Sequence, residues 1–430
     1  MIFPFTKSRG GCACARRSKW LVVPLALVAF TARAGELPSD ADDPALWPNT
    51  VSRANGDRWI VENHDRIRQM RPRVLIVNFS NVAKREQEEK LVAGIIDAVA
   101  RGSRYHGYKE SNAPAFLKYQ IFKWVDLRDA STNAMSAKTP LKPRRANGFN
   151  VNYNAFFSDE FANHYGAANP KNPSRFLRLD ELVEQGIVHE LWMVGEGVKG
   201  FGAFESVELK PKYDDQFRPI PGQFVQAGNG GDPDQKWTGR SIRIGFINAS
   251  RGVGCFMESL SHSFEGTATS GAIPYFSKYF KEFAGYDLKQ RWQLPFNSFY
   301  ALKYDGRKIE YPHERTAIVR PGDGKEFVLT NYFVIGGNAH WPPNGRGHYD
   351  FENTNAVLST IEDWRIGSGV DKSDLAKPFT NQAFARYRKL APDCMGAWLV
   401  YWRQNFPGLD NRQKDDDGRA MKNWWPFLFY

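Results

Sequence analysis

Apolar positions first organise at residues 73–79, where Val74 to Val77 run unbroken between Arg73 and Asn78 and read as a buried strand. From Glu86 to Arg101 the period changes, and Leu91, Ile95, Ile96 and Val99 fall on one side of a helix. Residues 118–126 alternate as a half-buried strand, while 190–194 and 241–247 read as further buried strands. Residues 174–186 predict a helix capped by Ser174 and stopped at Gly186. Residues 207–239, rich in Pro and Gly and without period, predict a long loop of the kind that carries binding function. In the second half the pattern predicts helices over 253–269, 275–284 and near 380–390, with strands near 315–319 and 326–334. Strands alternating with helices imply an α/β fold, a mixed β-sheet with packed helices, in one large domain over 72–430. Residues 35–71, polar and proline-containing, are expected to wrap its surface, and the apolar end from Trp424 to Tyr430 is expected to dock into the core.

The amino-terminal stretch does not fit that domain. Basic residues Arg16, Arg17 and Lys19 precede an apolar run from Trp20 to Phe30, and Ala32, Arg33 and Ala34 follow as a small-x-small cleavage site, so residues 1–34 read as a secretory signal peptide. The run is too short for a permanent span, and no stable membrane insertion is expected. The expected location is secreted or periplasmic. Removing this segment's six basic residues and no acid takes the formal net charge from +11 to +5, spread through the chain, which gives no footing for nucleic acid. Cys12 and Cys14 leave with it. An oxidising compartment then allows one disulfide between Cys255 and Cys394 or two inert thiols, and two cysteines are too few for a Cys-based zinc site.

Candidate chemistry concentrates in three places. Gly195 to Gly200 matches a dinucleotide fingerprint after a predicted strand, but no cap or helical period follows at Phe201 to Phe204, and the stretch reads as a glycine-rich turn. Within the helix predicted over 253–269, Glu258, His262 and Glu265 fall within about a 60° arc, opposite Phe256, Leu260 and Phe264. No Lys or Arg lies in residues 252–277, and small Gly254, Cys255 and Thr269 complete the arc, which suits a face looking into a cleft. The alternative is a solvated set of i,i+4 pairs. A proline-stiffened loop from Asn338 to Asp350 adds His340 and His348, and Glu190, Glu196 and Glu205 add carboxylates near a predicted strand end.

The residues from Glu258 to Glu265 resemble a departed form of the zincin metallopeptidase helix, in which HExxH supplies two zinc ligands and a base. His262 matches the second ligand. Glu258 stands where the first histidine would be and Ser259 where the catalytic glutamate would be. A carboxylate can ligate zinc, but serine cannot be the base that activates water, so the resemblance implies that Glu265 or another carboxylate takes that role. More broadly, residues 73–405 are similar to secreted bacterial proteins. The expected function is a secreted hydrolase acting on an extracellular polymer, polysaccharide or protein, with Glu258, His262 and His340 as ligands of a divalent metal such as Zn2+. Glu265, Glu190 and Glu205 are the candidate catalytic carboxylates. The alternatives are a metal-free glycoside hydrolase with two facing carboxylates from Glu190, Glu205, Glu258 and Glu265, and a non-catalytic carbohydrate- or surface-binding protein built on exposed aromatic rings.

Overall fold

Three unbroken apolar runs build the centre of a six-stranded sheet. In the computed structural model, which describes residues 43–52, 57–143, 148–197, 201–303, 307–367 and 373–430, the strands are β1 (Arg73–Asn78), β2 (Gln120–Asp126), β3 (Glu190–Gly195), β4 (Ser206–Tyr213), β5 (Pro219–Gln226) and β6 (Arg243–Asn248). Their order is β5, β4, β6, β3, β1, β2. The last four are mutually parallel, and β4 and β5 join antiparallel at one edge, giving a mixed sheet in an α/β fold.

Parallel strands with both faces covered need apolar side chains at every position, which is why these runs do not alternate. Val74, Ile76, Trp192 and Val194 pack into a core on one face, and Leu75, Val77, Leu191 and Met193 into a core on the other. The first face is covered by α1 (Arg85–Gly102), α2 (Val253–Thr269), α3 (Pro274–Phe283) and α4 (Gly396–Arg403). A third cluster sits beneath a small antiparallel sheet of Lys308–His313, Thr316–Arg320 and Phe327–Thr330. Eight of the thirteen tryptophans, among them Trp192, Trp364 and Trp402, are fully buried, and the carboxy-terminal residues from Trp424 to Tyr430 join the same core.

Several elements depart from the pattern-based expectation. Residues 43–71 do not wrap the surface: Trp47, Ile60 and Met70 are fully buried in the main core, so the packed body reaches upstream of residue 72. The loop expected over 207–239 is largely the β4–β5 hairpin. Its signal was masked because Glu208 and Lys210 are buried in β4 as an ion pair at 2.9 Å, and because β5 is an exposed edge strand where proline is tolerated. The helix expected over 174–186 is shortened to Leu179–Glu184, with Arg178 rather than Ser174 at its cap and Gly186 left-handed just beyond its end. The helix expected near 380–390 is two 3-10 turns, Asn381–Ala383 and Ala385–Tyr387, and the helix that does form, α4, is apolar all round and carries no period to read. The glycine-rich turn after β3 leads to the short strand Phe201–Gly202 and not to a helix. The signal read in residues 1–34 lies outside the described residues. No helix among the described residues is long and apolar enough to cross a membrane.

Candidate metal centre

The main site is built on α2, which follows β6 across the carboxyl end of the parallel strands. Asp393, from a distant loop, holds the start of this helix by accepting the backbone N–H groups of Gly252, Gly254 and Cys255 at 3.0, 2.7 and 3.2 Å. A carboxylate there satisfies orphan donors and matches the positive end of the helix. Phe256, Leu260 and Phe264 enter the core as expected, yet the opposite face is buried too, with Glu258 only 8% and Glu265 only 6% exposed. The solvated ion-pair reading of this face is therefore overturned. The helix comes so close to the chain after β5 that a Cβ on Gly266 would stand 2.1 Å from the Ala227 carbonyl oxygen.

His340 arrives from the loop expected to complete the site. The first part of this loop, to Gly345, is itself buried, and its backbone is satisfied by side chains: the Trp402 indole donates to the Gly337 carbonyl at 3.2 Å and the Trp398 indole to the Asn338 carbonyl at 3.0 Å. Asn344 and Asn353 exchange side-chain bonds to each other's carbonyls at 2.7 and 2.6 Å, which fixes the loop's return.

Three donor atoms meet where α2 and this loop touch. His262 Nε2 and His340 Nε2 are 3.1 Å apart, His340 Nε2 is 2.8 Å from Glu258 Oε1, and His262 Nε2 is 3.7 Å from the same oxygen. Four ligands at 2.0–2.1 Å around a tetrahedral ion are spaced by about 3.3–3.4 Å, so this triangle has the size of one tetrahedral face. The outer nitrogens are engaged. His262 Nδ1 donates to Glu265 Oε2 at 2.7 Å, and His340 Nδ1 faces His348 Nε2 at 2.8 Å. Burial, with His340 beside it, lowers His348 to about 4 and leaves it neutral. Both Nε2 atoms thus approach one carboxylate oxygen, an arrangement that a shared cation or proton satisfies.

The electrostatics agree. Burial alone would lower His262, but hydrogen bonds to Glu258 and Glu265 carry it up to about 10. Burial alone would raise Glu258, but His262 and His340 hold it at about 2. Glu205 goes the other way: burial raises it, although His262 and Asn229 pull against that. Beside the triangle, a cavity of about 440 Å³ is lined by His262, Glu265, Gln226, Asn229, Thr269 and Tyr286, with no Lys or Arg in its wall.

The candidate carboxylates separate into distinct environments. Glu265 is committed on both oxygens, accepting from His262, from the Ala339 N–H at 3.1 Å and from the Tyr300 hydroxyl at 3.2 Å, so it fixes the His262 ring and has no free oxygen to act as a base. Glu190 lies at the amino end of β3, away from the centre. It is the buried counter-ion of Arg243 and also accepts from Tyr119 at 2.7 Å and the Trp192 indole at 2.9 Å, which removes it from the catalytic set. Glu205 sits at the carboxyl edge of the sheet within electrostatic reach of Glu258, His262 and His340, its Oε2 without a hydrogen-bond partner among the described residues. Sequence reasoning missed Tyr300, the roles of His348 and Tyr349, and the cavity residues Gln226 and Asn229. The tyrosines stand in irregular segments where no period marks them, and the last two lie at the end of a hairpin read as a loop.

The disulfide expected between Cys255 and Cys394 is not formed. Both thiols are free, and the Cys394 sulfur accepts from Arg251 at 2.7 Å. One sulfur from each and a Glu258 carboxylate oxygen nevertheless lie within 4.8 Å of one another. Counting cysteines alone ruled out such a set because it did not consider a neighbouring glutamate as the third donor. No family model, curated protein or solved structure matches this chain.

Proposed function

We propose that this chain is a zinc-dependent hydrolase in which Glu258, His262 and His340 hold the ion and Glu205 serves as general base. The observation that carries the reading is the triangle of two imidazole nitrogens and one carboxylate oxygen with edges of 2.8, 3.1 and 3.7 Å. Mixed nitrogen and oxygen donors at this spacing suit zinc, and three protein ligands leave a fourth position open as catalytic sites require. When bound, such an ion supplies Lewis-acid chemistry, polarising a scissile carbonyl and acidifying a water.

The remaining work falls to the chain. Glu265 fixes the His262 ring through Nδ1, and His348 does the same for His340. Glu205, raised by burial and with a free oxygen, would take a proton from the attacking water and return it to the leaving group. The export signal read in residues 1–34 makes an extracellular polymer the proposed substrate. The metal-free glycosidase reading is less well supported, because Glu258 and Glu265 are tied to histidines and Glu190 to Arg243. A binding-only role on aromatic platforms finds little support in a molecule whose tryptophans are mostly core residues.

The test is elemental analysis of the purified chain together with hydrolysis of p-nitrophenyl acetate, an activated ester that reports water activation without presuming the polymer. Zinc uptake and ester turnover are expected, with turnover and the zinc held by the triangle lost in His262→Ala and His340→Ala. A chain that folds, turns over no ester and takes up no zinc when it is supplied would overturn the proposal.

A further inference from the structure

Glu258 uses only one of its oxygens in the centre just described. Its contacts with His340, His262 and the Tyr349 hydroxyl, at 2.8, 3.7 and 3.2 Å, all fall on Oε1. The second oxygen takes part in none of these contacts. One turn back along α2 stands Cys255, and across from it Cys394, with one donor atom from each of the three residues inside a 4.8 Å set. Tetrahedral zinc with bonds of 2.3 Å to sulfur spaces two sulfurs by about 3.8 Å, within the reach of such a set.

The second thiol is held there by construction. Cys394 follows Asp393, the residue that caps α2, and adopts a left-handed backbone with φ 49°, a conformation that side chains with a Cβ seldom take. The loop is pressed flat against the helix: a Cβ on Gly254 would stand 2.0 Å from the Asp393 carbonyl oxygen, and one on Gly396 would stand 2.7 Å from the Gly254 Cα. Arg251 contributes a positive charge at the Cys394 sulfur, against burial, which raises both thiols and carries Cys255 to about 12.

We propose that Cys255, Cys394 and the second oxygen of Glu258 form a further divalent-cation site, so that Glu258 bridges two ions and the centre is dinuclear. The inference rests on the reading of Glu258, His262 and His340 as a metal site, and it adds a softer, thiolate-bearing position that selects zinc over magnesium or calcium. Uptake is a ligand exchange without redox change: each thiol gives its proton to solvent as the metal–sulfur bond forms, and two protons leave per ion bound there.

Cobalt titration of the metal-stripped full chain under reducing conditions tests this. Two equivalents are expected, with a sulfur-to-cobalt charge-transfer band in the near ultraviolet assigned to one of them. Cys255→Ser and Cys394→Ser should each lose that band and one equivalent while keeping the other, and His340→Ala should lose the equivalent that carries no band. Because a variant can fail to fold, alkylation of both thiols is followed in the unaltered chain by peptide mass, with protection expected on zinc loading. A single equivalent with no sulfur band and both thiols equally reactive with and without zinc would overturn the second site and leave the first standing. One equivalent abolished by histidine and cysteine variants alike would also overturn it, since a single ion would then use both sets. No binding at all would overturn the first reading as well.

Discussion

Glu205 and Glu265 carry the same functional group within one site, yet their surroundings assign them different work. Glu265 is lowered, against its burial, by the His262 hydrogen bond, and its oxygens are spent on neighbours. Glu265→Gln should keep the fold and weaken zinc binding by roughly 10–100-fold, the usual effect of losing a ligand-orienting partner, read by competition with a chelator. Glu205→Gln should leave zinc content unchanged and cut ester turnover by about 10²–10⁴-fold, the contribution of a general base. Equal zinc loss in both variants would contradict this division. Identical glutamates in a sequence cannot be told apart this way, because what distinguishes them is the Ala339 N–H, the Tyr300 hydroxyl and the burial around Glu205. The arc of Glu258, His262 and Glu265 was legible because helical period is a property of spacing alone. The triangle was not, since its third corner comes from a loop.

At the scale of elements, the start of α2 is the joint on which both donor sets depend. Asp393→Ala removes the acceptor of three backbone N–H groups, and caps of this kind are worth about 0.5–2 kcal/mol. Loss of stability in that range in a denaturant melt is expected, together with faster alkylation of Cys394. Gly266→Ala should cost more, about 1–3 kcal/mol, because the new methyl group meets a backbone carbonyl that cannot rotate away. An unchanged melt for Gly266→Ala would mean that the helix does not pack as closely as the structure has it. The central strands and α1, α2 and α3 were readable from sequence because burial on two faces or one leaves a pattern. The β4–β5 hairpin and α4 were not: a buried Glu208–Lys210 pair makes a strand look polar, and an all-apolar helix leaves no face to detect.

The whole molecule responds to pH through histidines outside the centre. Burial lowers His64 and His106 to about 4, and also holds His189 well below its ordinary value. Each is then neutral in the folded chain, while the unfolded chain takes up a proton near pH 6.5. The depressed folded value means that their stabilising share is complete above about pH 6.5 and is lost as pH falls toward 4, at up to about 1.4 kcal/mol per pH unit for each histidine in that window. Melting curves between pH 7.5 and 4.5 should show this decline, and a flat profile would contradict burial of neutral rings. Zinc acts in the opposite sense. At a free concentration of 100 times its Kd, an ion bound only by the folded chain adds about 2.7 kcal/mol, so chelation should lower the melting temperature of the unaltered chain by more than that of His340→Ala.

The centre joins residues far apart in the chain: His262 and His340 touch across 78 positions. During synthesis, and in any extended state that passes through a membrane pore, only Glu258 and His262 are neighbours, and two ligands without their loop hold zinc poorly. On the proposed reading, capture of the ion is therefore a late event that follows folding, and the compartment in which the chain folds would decide which metal it carries.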